Sequence, residues 1–453
     1  MKTLLFELRQ IAHSRLAVAA IVLLALLSAL SVSTGLQAVH AQQATLERIK
    51  ASHARDFGAI AAKKIPSEAG AEAGSVGYYL PHLTVNPPSP LAFAAIGQRD
   101  LQPSALRVRL LGLHAQLYES EAINPELAMP GRFDFAFVLV YLTPLFVIAL
   151  MHDLVSNERE AGRLRLLASL PAGAANTWRR RVGLRYVLVW LAALLPLAVG
   201  ALLAGAGVIG FAGIALVATL YLAFWFGIAS WVAARARTSS SSAAILLACL
   251  VGLTMILPTL ADAAISRLSP VSKGVELALA QRQAVHSGWD IPKPVTFEKF
   301  FRSHPEWKDT APVTGRFHWK WYYAMHQAGD DAVAGDVAQY RASLQAREDW
   351  TARVGVLLAP VNVQVLLHRL ADTDLQAQLA YQDRIGAFHT RLRTFFYPYM
   401  FEERAIKRED LAKLPVYETG APGGVLMGGQ LLALAAMALV LMLVGLRKLR
   451  APA

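Results

Sequence analysis

HDLVSNEREAGRLRLLASLP, residues His152 to Pro171, is the stretch whose reading decides the fold. It follows directly on GRFDFAFVLVYLTPLFVIALM, Gly131 to Met151, an apolar run long enough to cross a bilayer. A second apolar run begins near Arg185. Between them, Glu158, Arg159, Glu160, Arg163 and Arg165 interleave with Leu164, Leu166, Leu167 and Leu170. Asn157 suits a helix N-cap, and Glu160, three residues on, suits the reciprocal half of a capping box. The pattern predicts a short amphipathic helix at a membrane surface, leucines toward lipid or bundle and charges toward a soluble partner. By charge alone, it equally suits a loop that anchors two membrane helices.

The composition agrees with a membrane setting. Of 453 residues, 55% are hydrophobic and 17% are charged, against about 25% charged in a soluble average. The charged residues are clustered, which implies polar segments between the spans. The net charge is +12. Short loops account for much of it, so membrane topology explains the excess better than a nucleic-acid partner does. The single cysteine, Cys249, lies in an apolar run and permits no intrachain disulfide.

The N-terminal segment MKTLLFELRQIAHSR is basic and amphipathic, and Leu16 to Leu36 is long enough to span. A cleaved signal peptide competes with a retained anchor, and the length of the run favours the anchor. Residues 1–36 are therefore read as an amphipathic segment with the first span, and residues 37–132 as a first insertion. In that insertion ATLERIKASHARDFGAIAAK continues the helix out of the membrane, a Gly/Pro-rich middle follows, and a second helix is expected near Ser104 to Glu121. Residues 133–264 hold the second to fifth spans. These cover Phe133 to Met151, Tyr186 to Ala206, Phe211 to Ala233 and Ala243 to Ala264. Pro144 in the second span is tolerable if neighbours satisfy the freed carbonyl.

Residues 265–422 form a larger insertion, the size of a domain and mostly helical, with Val271–His286, Asp331–Trp350, Val354–Leu370 and Asp374–Phe396 as its helices. Its stretch from Phe297 to Gln327 is aromatic-rich and reads as irregular. Residues 423–453 hold the sixth span and a basic tail, with MGGQ (Met427 to Gln430) expected to let helices approach closely. Arginines and lysines cluster at Lys2–Arg15, Arg159–Arg185, Arg235–Arg237 and Arg447–Arg450. Six spans with both ends in the cytoplasm satisfy every cluster. His40, His53, His82 and His114 lack ligand spacing, as do His304, Glu306, His318 and His326, so no metal site is expected.

Ser156, Glu158, Arg159, Glu160, Gly162, Leu164, Leu166, Leu167, Ser169 and Pro171 together resemble the cytoplasmic coupling segment of type-2 ABC transporter permeases. FDFAFVLVYLTPLF, Phe133 to Phe146, resembles the subgroup that contains the membrane subunit of the nitrous-oxide reductase maturation transporter and permeases with large periplasmic insertions. Arg163 departs from a threonine common in the family. The resemblance implies an all-α bacterial inner-membrane protein with six transmembrane helices, cytoplasmic termini and two periplasmic insertions. It also implies a coupling helix over residues 153–170, with Ser156, Glu158, Arg159, Glu160, Gly162 and Leu164 as the residues that meet an ATPase.

The chain has no GxxxxGK[ST] phosphate loop and no convincing catalytic set, so it is not expected to be an enzyme or to hold a cofactor. Its spans are nearly free of ionisable groups, which argues against an ion-driven carrier. The resemblance supplies the missing fuel: ATP and Mg on separate cytoplasmic ABC ATPase subunits, with a second permease copy, identical or paralogous, beside this one. Glu158 and Glu160 are the expected polar contacts with the ATPase, and Arg159 is expected to hold the loop to the permease core or to lipid phosphate. Export of a substrate is the leading expectation. A mechanotransmitting scaffold acting on a periplasmic partner and a membrane-anchored sensor are the alternatives.

Overall fold

In a computed structural model the chain is helical almost throughout. The structure describes all residues except 1, 67, 119–131, 165, 167–172, 272–273, 422–423, 425–426 and 450–453. Helix α1 (Lys2–His13) is amphipathic. Ser14 caps the next helix, α2 (Arg15–Lys64), by accepting from the Ala17 amide. At 50 residues, α2 is about 75 Å long, more than twice a bilayer core. Its second half therefore stands clear of the membrane. It leads to β1 (Ala71–Glu72), α3 (Ala73–Tyr79), β2 (His82–Val85), β3 (Ala105–Val108) and α4 (Leu113–Leu117).

Four apolar helices follow. They are α5 (Phe135–Glu160), α6 (Gly173–Leu203), α7 (Val208–Arg235) and α8 (Ser239–Leu268). Then come α9 (Gly274–Ser287), α10 (Lys293–Ser303), α11 (Trp319–Gly355), α12 (Ala359–Ala371) and α13 (Leu375–Phe401). The short β4 (Ala405–Ile406) precedes α14 (Gly428–Lys448). Among the described residues α2, α5, α6, α7, α8 and α14 are long and apolar enough to cross a membrane. This is a multi-span membrane protein.

Local chemistry explains the irregular points in the spans. Asp134 caps α5, accepting from the Phe137 amide at 2.9 Å, and also holds the Ile96 amide at 2.8 Å. Pro144 has no N–H, so the carbonyl of Val140 loses its helical donor. The Tyr221 hydroxyl of α7 donates to that carbonyl at 2.9 Å, and α5 takes a π turn over Val138–Leu142 just before the proline. Four aromatic residues of α7 pack inward, Tyr221, Phe224, Trp225 and Phe226, while Trp231 is exposed. Close approach of α7 and α14 rests on Gly227 and Gly445. A Cβ on Gly227 would lie 2.6 Å from the Leu441 carbonyl carbon, and one on Gly445 would lie 2.6 Å from the Gly227 oxygen. The expectation that MGGQ provides this approach is corrected, since Gly428 and Gly429 face open space.

Two hydrophobic cores result. The first joins the spans and also takes in the buried face of α12, with Val363, Leu366, Leu367 and Leu370. The second lies outside them and is shared by both long inter-span segments: Ile65, Val76, Leu80, Val108 and Leu110 from the first, Phe300, Tyr323, Ile385, Leu392 and Phe396 from the second. Strand β1 pairs antiparallel with β4, Ala71 opposite Ile406. The larger insertion is therefore not a domain of its own; one extramembrane domain is built from two distant pieces of chain. At its centre Arg393 bonds Asp330 at 2.9 Å and the carbonyls of Leu110 and Leu111 at 3.4 and 2.9 Å, while Asp330 accepts from the Leu113 amide at 2.9 Å.

Two local expectations are corrected. Ser104–Glu121 is not a helix in its described part. The alternation of Ala105–Val108 forms β3 against β2, with His82 opposite Val108, and only the five residues of α4 are helical. The aromatic stretch after Phe297 is more ordered than expected. It holds most of α10 and the start of α11, whose Trp321 and Tyr323 are buried in the domain core.

Candidate functional site

The segment that organises the sequence emerges at one end of the span bundle. Three connections meet there: α1 into α2, α5 into α6, and α7 into α8. After Met151 the backbone of α5 loosens into turns and regains a helical turn over Ser156–Glu160. Val155 stands at the cap position, and no side chain caps it. The Asn157 capping box is thus corrected: Asn157 lies inside the turn, exposed, and Glu160 reaches elsewhere.

Gly162 ends the turn. Its φ is +72°, and a Cβ there would meet nothing within 4 Å. Its amide bonds the Arg159 carbonyl, and the Arg163 amide bonds the Glu158 carbonyl, both at 2.9 Å. This is a Schellman termination, which asks for a left-handed residue and so for glycine. Leu164 packs partly against the span core, and Leu166 is exposed. The second half of the expected coupling helix, residue 165 and residues 167–170, lies outside the described residues.

Each expected site residue has a definite position. Glu158 is 6% exposed and accepts from Arg163 Nε at 2.7 Å and Arg181 Nη1 at 2.9 Å. Arg181, on α6, also bonds Glu7 of α1 at 3.0 Å and lies over the Trp178 ring at 5.3 Å. One guanidinium therefore fastens α1, the end of α5 and the start of α6. Arg159 donates to the Ala236 carbonyl at 2.7 Å, which ties the segment to the connection between α7 and α8. Glu160 accepts from the Ser239 amide at 2.9 Å and its hydroxyl at 3.3 Å. A carboxylate there satisfies an orphan donor at the N-terminus of α8 and complements its dipole. Ser156 Oγ and Ser239 Oγ are 2.8 Å apart.

The structure thus brings Ser156, Glu158, Arg159 and Glu160 into one clamp with neighbouring helices. It leaves Asn157, Glu160, Ala161, Gly162, Arg163 and Leu166 exposed, Glu160 with its carboxylate on Ser239. Sequence reasoning missed Glu7, Arg181 and Ser239. Arg181 was visible only as part of a basic run, and no spacing rule pairs it with a glutamate 174 residues away. What the clamp can do is mechanical. A push on the exposed turn is passed by short, charge-assisted bonds to α1, α6 and α8 rather than absorbed in a loose loop.

The histidines go to separate places. His82 lies edge-on to Phe57, Phe388 and Phe396, His114 stacks on Tyr118, and His326 accepts from the Gly112 amide. His304 meets Glu306 at 3.1 Å. Among the described residues no three His, Cys, Asp or Glu side chains converge as metal ligands.

Residues 275–419 match the family described as Domain of unknown function (DUF3526). The match begins in α9 and ends short of α14, so it covers the second piece of the extramembrane domain together with α12. No curated protein and no solved structure matches the chain.

Proposed function

We propose that this chain is the membrane-spanning permease subunit of an ABC exporter, worked by a separate cytoplasmic ATPase subunit. The observation that carries the reading is the clamped turn at Ser156–Gly162. It is exposed on one face and bound on the other to α6, to α8 and to the connection between α7 and α8, which is the arrangement a docking lever needs. In this reading the end with the basic clusters is cytoplasmic, and both chain termini lie there. The extramembrane domain is then periplasmic, and the membrane is the bacterial inner membrane. A second permease copy completes the unit, and ATP with Mg is bound by the partner.

The assignment of roles shifts with the geometry. Glu158 and Arg159 hold the lever to the bundle. Asn157, Glu160, Arg163 and Leu166, all exposed, are the contacts offered to the ATPase. When the ATPase subunits close, the turn would move as a rigid piece and carry α1, α6 and α8 with it, changing which side the spans open toward.

One observation favours a second reading. The extramembrane domain is joined to the spans by the unbroken α2 and by α12, whose Asn362 donates to the Gln430 carbonyl at the start of α14 at 2.8 Å. Such rigid links would let ATP hydrolysis move the domain against a periplasmic partner with nothing crossing the membrane.

Affinity purification of the full chain from its native membrane tests the proposal. An ATP-hydrolysing subunit should come with it, and its ATPase rate should depend on the permease. Recovery of the chain alone, from membranes where it is stable, would remove the reading.

A further inference from the structure

Where the extramembrane domain meets the spans, α12, the start of α13 and the linker into α14 enclose a cavity of about 310 Å³. One face of α13 floors it: Asp374 at the N-cap, then Ala377, Ala380 and Arg384, at the spacing that lines one side of a helix. The cavity is acidic at the Asp374 end and basic at the Arg384 end, with small apolar side chains between. At the acidic end Asp372 lies near Asp374, and Arg369 is shared between Asp374 at 2.8 Å and Glu348 at 3.5 Å. Arg99 feels the Asp372 charge but gives its bonds to the Asn86 carbonyl and Gln42. Burial, helped by the charge of Asp372, pushes the Asp374 carboxyl above its ordinary value although Arg369 pulls it down. Burial and the charge of Asp374 do the same to Glu348. That end is therefore short of positive charge.

At the other end Arg384 stands about 15 Å of helix beyond Asp374. Among the described residues no carboxylate pairs with it; the Tyr417 hydroxyl lies beside it, and its Nε is buried with no hydrogen-bond partner. Among the same residues the Asp372 carboxylate closes no hydrogen bond or ion pair. Each group is fixed where it is. Asp372 sits in the left-handed cap of α12, φ +57°, and Arg384 lies flush under the linker, where a Cβ on Gly420 would come 2.7 Å from its Nη1. Partly buried charges without counter-ions are costly, and here opposite ones line a single cavity without meeting.

We propose that this cavity binds a small ammonium–carboxylate zwitterion, a free amino acid or a di- or tripeptide, with its ammonium on Asp372 and Asp374 and its carboxylate on Arg384. A planar guanidinium suits a carboxylate, and Asn86 offers an amide to a peptide bond. The site is built from the domain's own side chains, and it stands whether or not an ATPase engages the far end of the bundle.

The test is isothermal titration of the full chain in lipid nanodiscs with glycine, diglycine and triglycine, which separates the free amino acid from the peptides by length. At least one of the three should bind saturably, and its N-acetylated and C-amidated forms should each bind about tenfold more weakly, because each loses one charged contact. Asp372→Asn keeps the shape of the side chain and accepts the left-handed backbone, so the fold should stand while affinity falls about tenfold. Arg384→Gln should weaken binding to a similar degree, whereas Arg391→Gln, on the same helix but outside the cavity, should leave it unchanged. The proposal is overturned if none of the three compounds binds saturably, if a blocked form binds as well as the zwitterion, or if binding survives both Asp372→Asn and Arg384→Gln.

Discussion

Two arginines each join pieces of chain that are far apart in sequence, and their surroundings differ. Arg393 is buried at the centre of the extramembrane domain, bonded to Asp330, two backbone carbonyls and Gln327. Arg181 is 11% exposed at the bundle edge and holds two carboxylates, Glu7 and Glu158, on two other helices. The first has all three of its nitrogens bonded inside a packed core, so it locks two insertions into one body. The second joins short segments at a surface, where the bonds hold but the elements keep freedom to move together. A domain needs the first kind of joint, and a lever needs the second.

Acid should separate the two joints most strongly. Burial pushes His82 and His389 down to about 3 and His326 to about 4, from an ordinary 6.5. In the unfolded chain these imidazoles take up a proton below pH 6.5, and in the folded domain they do not. The unfolded state thus binds more protons in that window, and stability is lost as pH falls from 6.5 toward 4. Between pH 7 and 5 each contributes a loss of about 1–2 kcal/mol. Tryptophan fluorescence of the full chain should report loosening of the core around Trp321 by pH 5, with helical content of the spans retained.

Arg393→Met should come next. It strands Asp330, whose burial favours protonation but whose carboxyl Arg393 and the Leu113 amide hold below its ordinary value. Breaking a buried pair from one side costs about 3–5 kcal/mol. Limited proteolysis should cut the extramembrane domain while leaving the spans protected, and equal resistance in variant and wild type would refute the lock.

Glu158→Gln should be milder for stability, about 1–3 kcal/mol, since Arg181 keeps Glu7. Its larger effect should fall on coupling: less stimulation of the partner ATPase at unchanged membrane insertion. Stimulation equal to wild type would separate the clamp from function. Gly162→Ala is the smallest change. It forces a left-handed alanine at about 1–2 kcal/mol without a clash, and should raise protease access at Arg163.

The spans were legible because hydrophobic length is a local property. Every span appears, but helices run well past the apolar stretches, α6 back to Gly173 and α2 on to Lys64. The proline in α5 was legible as a need for a partner, but not the partner, since Tyr221 lies 81 residues from the carbonyl it satisfies. The shared domain was not legible. Its decisive contacts, such as His389 to the Arg109 carbonyl at 2.9 Å, join residues 280 apart, and no periodicity encodes that. At the candidate site the charged run was legible, and the burial of one of its members, Glu158, was not. A glutamate in a charged run looks solvent-facing until an arginine from another helix is found to cover it.

The most direct test is a cysteine-specific crosslink from the exposed side of the turn. With Asn157→Cys in a Cys249→Ser background, a short bifunctional maleimide should join the chain to an ATP-hydrolysing subunit, and the yield should change when ATP is added. A turn that reacts only with membrane-impermeant reagent applied from the side of the extramembrane domain, or that captures no such subunit, would contradict the account.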